Sequence, residues 1–181
     1  METGIDGAWI FQPRVFGDER GFFLEGWNRA KLAELGLSAD FVQDNHSRSA
    51  HGVVRGLHYQ VGDNAQGKLV WVTSGRVFDV VVDLRRSSRT FGKWAGCYLD
   101  AEKHERLWIP PGCAHGFLVL SPSADFHYKC TNYYRPESER SLLWDDPDVG
   151  IEWPLDRVAG RPLLSEKDRA ALAFKDCDKF P

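Results

Sequence analysis

The chain has 181 residues, a length that suits one domain able to bury a hydrophobic core without disulfides or metals. A formal net charge of -3 argues against the broad basic surface that non-specific binding to nucleic acid or to a membrane requires. Aromatic residues make up 13% of the chain, which favours strands and lined ligand pockets. We therefore expect a single domain over residues 1–181 that takes a small ligand.

The amino terminus, METGIDGAW, lacks the basic and apolar segments of a secretion signal, and no apolar run approaches the length of a membrane span. The four cysteines contain no C-x-x-C pair, so neither a zinc knuckle nor a redox motif is indicated. We expect free thiols in a reducing cytosol. The sequence thus predicts a soluble, cytoplasmic protein with no membrane and no nucleic-acid partner. The cysteines are Cys97, Cys113, Cys130 and Cys177.

Eight short runs rich in β-branched and aromatic residues alternate with turn signals along the chain, and few of them have helical periodicity. This pattern predicts an antiparallel sandwich or barrel. Two segments favour short helices: residues 28–35, which start at an asparagine, and residues 165–174, which start at a serine followed by acidic residues. The eight runs are WIFQPRVF, GFFLEGW, KLVWVTS, RVFDVVVDL, WAGCYL, RLWIP, GFLVL and DFHYKCTNYY.

The run over residues 77–84 shows the two faces of one strand. Four apolar side chains alternate with a second set that contains Asp79 and Asp83. The carboxylates predict that the second face meets either a polar lumen or solvent. Further along, WDDPDVGIEWP indicates an irregular acidic loop closed by its two tryptophans over the barrel mouth, in which Asp145 and Asp146 are structural or turn-forming.

The densest group of reactive side chains lies between Gln43 and Lys68, where three histidines, two arginines and one lysine occur within the length of two strands. Its centre is RGLHYQ, from Arg55 to Gln60. If this segment is a strand, the period of two places His58 and Gln60 on one face. A base, an amide and an ammonium could then converge.

The segment IPPGCAHGF presents His115 after a Pro-Pro-Gly turn, an arrangement that resembles barrels of the cupin type. Many such barrels bind a metal through two histidines and a carboxylate near the first motif. Here Gln60 occupies the position of the second histidine, and the ammonium of Lys68 would repel a divalent cation. We therefore predict no bound metal, and we find no glycine fingerprint for a nucleotide cofactor.

A barrel with this set of residues suits proton transfer next to a carbonyl group. His58 would be the base, because histidine titrates near neutral pH, and Lys68 would stabilise the enolate oxygen. Inversion of a carbon next to a carbonyl group also needs an acid on the opposite face of that carbon. Tyr128 is the candidate for that acid, with Tyr133 and Tyr134 as alternatives.

Nine motifs in order, spanning residues 18–168, make the chain similar to the dTDP-4-dehydrorhamnose 3,5-epimerase family. This resemblance implies an all-β antiparallel jelly-roll barrel of the cupin type with a few short helices, no cofactor, and a homodimer with strand exchange. The implied substrate is a dTDP-linked 4-keto-6-deoxyhexose. The motifs are DERGFFLE, QDNHS, RGLHYQ, QGKLV, PPGCAHGF, YKCTNYY, PESE, WDDPDVGIEWP and LLSEKD.

The resemblance also implies roles for individual residues. It assigns the base to His58, the acid to Tyr128, the enolate-stabilising ammonium to Lys68 and the carboxylate that orients the base to Asp168. Asp168 would also suit the start of a helix, so Asp79 and Asp83 remain alternatives for the orienting carboxylate. The implied substrate-binding residues are Arg20, Glu25, Gln43, Asp44, Asn45, Arg55, His115, Glu139 and Lys167, of which Arg20 and Arg55 suit the pyrophosphate.

The resemblance favours epimerisation at carbons 3 and 5 of dTDP-4-keto-6-deoxyglucose, which gives dTDP-4-keto-L-rhamnose. Three other functions stay open at this point. One is a related epimerase that inverts a single carbon, the second is a metal-dependent cupin oxygenase, and the third is a sugar-binding barrel without catalysis. The sequence does not decide whether Arg20 acts across a subunit interface.

Overall fold

The structure, a computed structural model, describes residues 1–181 and is built mainly of short antiparallel strands. Helices α1 (Arg29–Glu34) and α2 (Glu166–Arg169) are both short, and neither has the length or the apolar composition needed to cross a lipid bilayer. The strands are β1 (Trp9–Phe11), β2 (Val15–Asp18), β3 (Gly21–Leu24), β4 (Gln43–Ala50), β5 (Val54–Gln60), β6 (Lys68–Ser74), β7 (Arg76–Asp83), β8 (Trp94–Asp100), β9 (Arg106–Ile109), β10 (Cys113–Val119), β11 (Ser123–Cys130) and β12 (Glu139–Ser141).

Ten of the strands form two five-stranded sheets that pack face to face. The first has the order β1-β9-β6-β11-β4 and the second the order β12-β5-β10-β7-β8, with every pairing antiparallel. Apolar side chains from both sheets fill the space between them, including Val70 and Phe126 from the first sheet and Val81 and Phe117 from the second. The predicted antiparallel jelly-roll barrel is confirmed.

The strand β7 is buried on both faces. The alternating pattern of residues 77–84 had left open whether the face with the carboxylates meets solvent. Phe78 and Val80 point to the outer side of the second sheet, where the carboxyl-terminal segment covers them. Asp79 and Asp83 are 0% exposed. Asp79 lies in the barrel interior, so of the two predicted alternatives, lumen and solvent, the lumen is correct. Asp83 accepts hydrogen bonds from Arg85.

The acidic loop at residues 144–153 is closed by its tryptophans as predicted, since Nε1 of Trp153 donates to the carbonyl of Trp144 at 2.8 Å. Asp146 is structural, because it accepts backbone N–H groups within the loop and from Phe174. The predicted position over the barrel mouth is wrong. The ring of Trp153 packs edge-on against Phe78, on the outer face of the second sheet.

The helix α1 begins after Asn28, whose side chain accepts from the N–H of Lys31, as the sequence predicts. The second predicted helix was too long: α2 ends at Arg169, after a single turn capped by Ser165. The chain then leaves the helix to form a β-bridge at Leu172, and that bridge competes with further helical hydrogen bonds.

The strands β2 and β3 form a separate hairpin, residues 15–24, which we call the arm. The arm belongs to neither large sheet. Its aromatic side chains lie in solvent: Phe16 is 49% exposed, Phe22 63% and Phe23 67%. Large apolar side chains grouped on an exposed hairpin are typical of a surface that another molecule covers.

Candidate active site

A polar cavity opens between the two sheets, where β6, β11 and β4 of the first sheet face β5 and β12 of the second. The strand register brings its residues together: Tyr128 lies opposite Asn45, and Cys130 lies between Gln43 and Lys68. The cavity is lined by Gln43, Asn45, His58, Tyr59, Gln60, Gln66, Lys68, Tyr128, Cys130, Tyr134 and Glu139. Three of the four predicted catalytic residues therefore face one space.

The fourth predicted catalytic residue, Asp168, lies directly behind the predicted base. Its Oδ1 is 2.6 Å from Nε2 of His58, and Asp168 is 2% exposed. The alternative partners for His58 are engaged elsewhere, since Asp79 contacts His115 and Asp83 contacts Arg85. With Nε2 bound to the carboxylate, Nδ1 is the nitrogen of His58 left to act on a substrate.

The Asp168 carboxylate is kept ionised by its hydrogen bonds. Burial by itself would raise the pKa of Asp168, but hydrogen bonds from His58 and from Ser165 outweigh burial and hold the pKa below its ordinary value. A carboxylate that stays charged can orient an imidazole and stabilise the imidazolium formed when that ring accepts a proton.

The Lys68 ammonium lies 5.8 Å from the centre of the Tyr128 ring. Burial lowers the pKa of Lys68, and the neighbouring acidic groups of Cys130, Glu139 and Asp79 oppose this shift only in part. An ammonium withdrawn from bulk water interacts more strongly with a developing oxyanion than an exposed one does. The position suits stabilisation of an enolate.

Tyr128 is the tyrosine best placed to donate a proton. Burial raises its pKa, and Arg55 opposes this effect only in part, so the phenol stays protonated at neutral pH. The alternatives are less suitable: Tyr133 is 56% exposed and does not line the cavity, and the hydroxyl of Tyr134 donates to Glu139 at 2.8 Å.

Three predicted substrate-binding residues, Gln43, Asn45 and Glu139, line the same cavity, and Arg55 and Lys167 lie next to residues that line it. Nε2 of Gln43 donates to Oδ1 of Asn45 at 3.0 Å, which orders both amides. Glu139 forms a salt bridge with Lys167. Nε of Arg55 donates to Ser49 at 2.9 Å, which fixes the base of the guanidinium group and leaves its end nitrogens free for an anion.

Two predicted substrate-binding residues, His115 and Asp44, are not placed for direct contact with a ligand in the cavity. His115 is 7% exposed, and its Nε2 lies 2.9 Å from Oδ1 of the fully buried Asp79. It lies on β10 beside His58, its register partner on β5, and does not line the cavity. Asp44 points to the other side of β4, where its carboxylate binds Lys129 at 2.8 Å.

Arg20 and Glu25 are not brought to the cavity within this chain. Arg20 lies at the tip of the arm, where its side chain is 85% exposed and binds Asp18. Glu25 follows the arm and lines a separate groove of about 790 Å³ between the amino-terminal strand, the arm and α1. No other predicted site residue lines that groove.

Sequence reasoning did not assign the roles of four residues that the structure places at the site. Cys130 lines the cavity, and its position two residues after Tyr128 on a strand was the signal for it. Gln60 is held by the backbone around Asn64 and Tyr133. The other two lie behind the histidines, Asp79 under His115 and Ser165 next to Asp168.

Comparisons with known proteins identify the family of the whole chain. A family model described as dTDP-4-dehydrorhamnose 3,5-epimerase matches residues 2–176. The dTDP-4-dehydrorhamnose 3,5-epimerase of Pseudomonas aeruginosa is 58% identical over 173 residues, which cover 95% of this chain and 93% of that protein. The resemblance found in the motifs is therefore confirmed.

Solved structures match the whole fold. A dTDP-6-deoxy-D-glucose-3,5-epimerase from Legionella pneumophila, in complex with dTDP-4-keto-L-rhamnose, superposes with a TM-score of 0.93 at 51% identity and covers 98% of this chain and 93% of its own. A 3'-monoepimerase from Streptomyces bikiniensis, in complex with dTDP-quinovose, gives a TM-score of 0.88 at 34% identity, with 95% and 86% covered.

Proposed function

The chain belongs to the dTDP-4-dehydrorhamnose 3,5-epimerase family, and from that premise we propose how its cavity carries out the reaction. The enzyme epimerises carbons 3 and 5 of dTDP-4-keto-6-deoxyglucose and gives dTDP-4-keto-L-rhamnose. The observation that carries the assignment of residues is the pair formed by His58 and Asp168, which faces a cavity shared with Lys68 and Tyr128.

The first step removes the proton from carbon 5, which is acidic because it is adjacent to the 4-keto group. Nδ1 of His58 accepts this proton, and Asp168 stabilises the resulting imidazolium. The electron pair moves into the bond between carbons 4 and 5, so negative charge develops on the ketone oxygen. Lys68 stabilises that oxygen, a contribution of roughly 3 kcal/mol for one preorganised donor.

The second step returns a proton to carbon 5 from the opposite face of the ring. Tyr128 is the donor, since its phenol is protonated and Phe126, two residues earlier on β11, packs at its base. The cycle leaves His58 protonated and Tyr128 deprotonated, and proton exchange with water resets both groups. The same two steps at carbon 3 complete the conversion, and no cofactor takes part.

The other functions fit the site less well. In a metal-dependent cupin oxygenase, the position of Gln60 would hold a histidine ligand, but here its amide bonds the backbone of Asn64, Tyr133 and Arg135. A binding barrel without catalysis has no need of the hydrogen-bonded pair of His58 and Asp168. The single-carbon epimerase is the nearest alternative, and the 34% identity to a 3'-monoepimerase against 58% to a 3,5-epimerase favours double inversion.

The test of this function is proton NMR of dTDP-4-keto-6-deoxyglucose incubated with the protein in deuterium oxide. We expect deuterium at both carbon 3 and carbon 5 of the product, because each inversion exchanges one carbon-bound proton with solvent. Label at one carbon only would replace the double epimerase by a single-carbon epimerase. No label at either carbon would contradict epimerisation altogether.

A homodimer completes this proposal. The arm exposes Phe16, Phe22 and Phe23 and carries Arg20, whereas the cavity lacks both Arg20 and Glu25. An arm laid across a second copy would cover the aromatic side chains and supply Arg20 to the partner's pyrophosphate site. Strand exchange of this kind accounts for an exposed apolar hairpin in an otherwise well-packed chain.

Mixing two impaired variants tests the exchange of arms. His58→Ala removes the base from one copy, and Arg20→Ala weakens the site that the arm reaches. If arms are exchanged, a mixed dimer contains one site with both residues intact, so mixing the two proteins is expected to restore up to about a quarter of wild-type activity in a random mixture. A monomer in sedimentation, or a mixture with no more activity than its components, would contradict the exchange.

A further inference from the structure

The carboxylate of Asp168 is held at both oxygens by side chains, with a further hydrogen bond from the backbone N–H of Gly56, and only one of the two side-chain contacts belongs to the catalytic pair. Oδ1 faces Nε2 of His58 at 2.6 Å, while the hydroxyl of Ser165 donates to Oδ2 at 2.7 Å. We propose that Ser165 is a positioning residue for the reaction, which fixes the Asp168 carboxylate and through it the orientation of the His58 ring. This inference rests on the proposed role of His58 as the base.

The contact between Ser165 and Asp168 runs in both directions. The backbone N–H of Asp168 donates to Oγ of Ser165 at 3.1 Å, and the same Oγ donates its own hydrogen to Oδ2 of Asp168. One hydroxyl thus binds both the backbone and the side chain of the same residue. This arrangement restricts the side-chain rotation of Asp168 in a way that a helix cap alone does not.

The local backbone explains why such a restraint is needed. The helix α2 has only four residues, Glu166–Arg169, so it cannot hold a side chain through helical packing. The chain is instead tied to β5 just before the helix, where the N–H of Val54 bonds the carbonyl of Leu163 at 2.9 Å. This tie places Ser165 alongside the strand that carries His58, and the hydroxyl then sets the final orientation of the carboxylate.

The charge of the carboxylate is also affected. Burial raises the pKa of Asp168, and the hydrogen bonds of His58 and Ser165 lower it again. Without the Ser165 donor, more negative charge is concentrated on the oxygen that faces His58. That change favours the protonated imidazole, and a protonated imidazole cannot act as a base.

Three substitutions at one position separate positioning from a structural role. Ser165→Gly removes the hydroxyl but preserves the helix start, because glycine caps a helix almost as well as serine. Ser165→Ala removes the hydroxyl and the cap together. Ser165→Thr keeps a hydroxyl that can make both contacts. The measurements are kcat, KM, the pH profile of kcat/KM and the thermal unfolding temperature, with deuterium exchange as the activity assay.

We expect kcat to fall about tenfold to a hundredfold in both Ser165→Gly and Ser165→Ala, with KM little changed, since a hydrogen bond to a charged group is lost. The acid limb of the kcat/KM profile should move to higher pH in both variants. Ser165→Thr should recover most of the rate and the wild-type limb. Wild-type kcat in Ser165→Gly, or a loss that follows the unfolding temperature while the acid limb stays in place, would overturn the positioning role.

A spectroscopic measurement keeps this test separate from that of the function. The proton between Nε2 of His58 and Asp168 should give a downfield proton NMR signal, assigned by its loss in His58→Ala. Its shift should change in Ser165→Gly and return in Ser165→Thr. Absence of exchange in the wild type would contradict the proposed function, whereas an unchanged signal in Ser165→Gly would overturn the role of Ser165 alone.

Discussion

Replacement of His58 by alanine is expected to reduce turnover by about 10²- to 10⁴-fold, the usual contribution of one positioned base. The substitution removes the only imidazole that lines the cavity and leaves the buried Asp168 carboxylate bound by Ser165 alone among side chains. Deuterium incorporation at carbon 3 and at carbon 5 should fall together, because the proposal gives one base to both carbons. Proton NMR in deuterium oxide measures both positions in the same sample.

The control for His58→Ala is His51→Ala. His51 lies in the turn after β4, outside the cavity, with Nδ1 near the carbonyl of Ser121. The His51→Ala variant should exchange the protons on carbon 3 and carbon 5 of the sugar at close to the wild-type rate. Loss of label at one carbon only in His58→Ala would mean that another group deprotonates the second carbon, and a wild-type rate would remove His58 from the mechanism.

Strands were predicted best from the sequence where apolar side chains occur on both faces of the strand. The predicted runs KLVWVTS and GFLVL are rich in apolar and β-branched residues, and they fall on β6 and on the second half of β10. The strand β4 was not among the eight predicted runs. Its sequence, QDNHSRSA, contains almost no apolar side chain. One face of β4 lines the polar cavity, and the other carries charged side chains such as Arg48, which donates to Asp125.

Site residues could be predicted from the sequence where they lie close together in one segment or on one face of a strand. His58 and Lys68 were found from local density, since they lie ten residues apart on consecutive strands, β5 and β6, of the two facing sheets. Asp168 lies 110 residues from His58, and only the family resemblance connected the two. Composition and periodicity contain no information about such a contact, so Asp79 and Asp83 stay alternatives until the fold is known.

The arm shows a different limit of prediction. The runs WIFQPRVF and GFFLEGW have the composition of core strands. The first run is divided between β1, which joins the first sheet, and the start of β2, and the hairpin of β2 and β3 is largely exposed in this chain. Strand propensity depends on short-range geometry and apolar area, whereas burial depends on what lies next to the strand. If a second copy covers the arm as we propose, the composition of these strands reflects a core shared by two chains.

Replacement of Tyr128 by phenylalanine should separate proton exchange from inversion. The variant keeps the ring that packs against Phe126 and loses only the hydroxyl that returns the proton. His58 can still remove the carbon 5 proton, exchange it with solvent and return a deuteron to the same face. We therefore expect the starting sugar to gain deuterium at carbon 5 with its configuration retained, while inversion slows by about 10²- to 10⁴-fold.

The comparison variant for Tyr128→Phe is Tyr133→Phe, because Tyr133 was an alternative acid and lies outside the cavity. It should invert both carbons at close to the wild-type rate. Coupling constants of the ring protons report configuration, and loss of the carbon 5 signal reports exchange, so one spectrum gives both. If Tyr128→Phe still inverts the ring, another group donates the proton. If Tyr128→Phe neither exchanges the carbon 5 proton nor inverts the ring, Tyr128 acts before reprotonation. The proposed mechanism would then be replaced by one in which deprotonation itself requires the phenol.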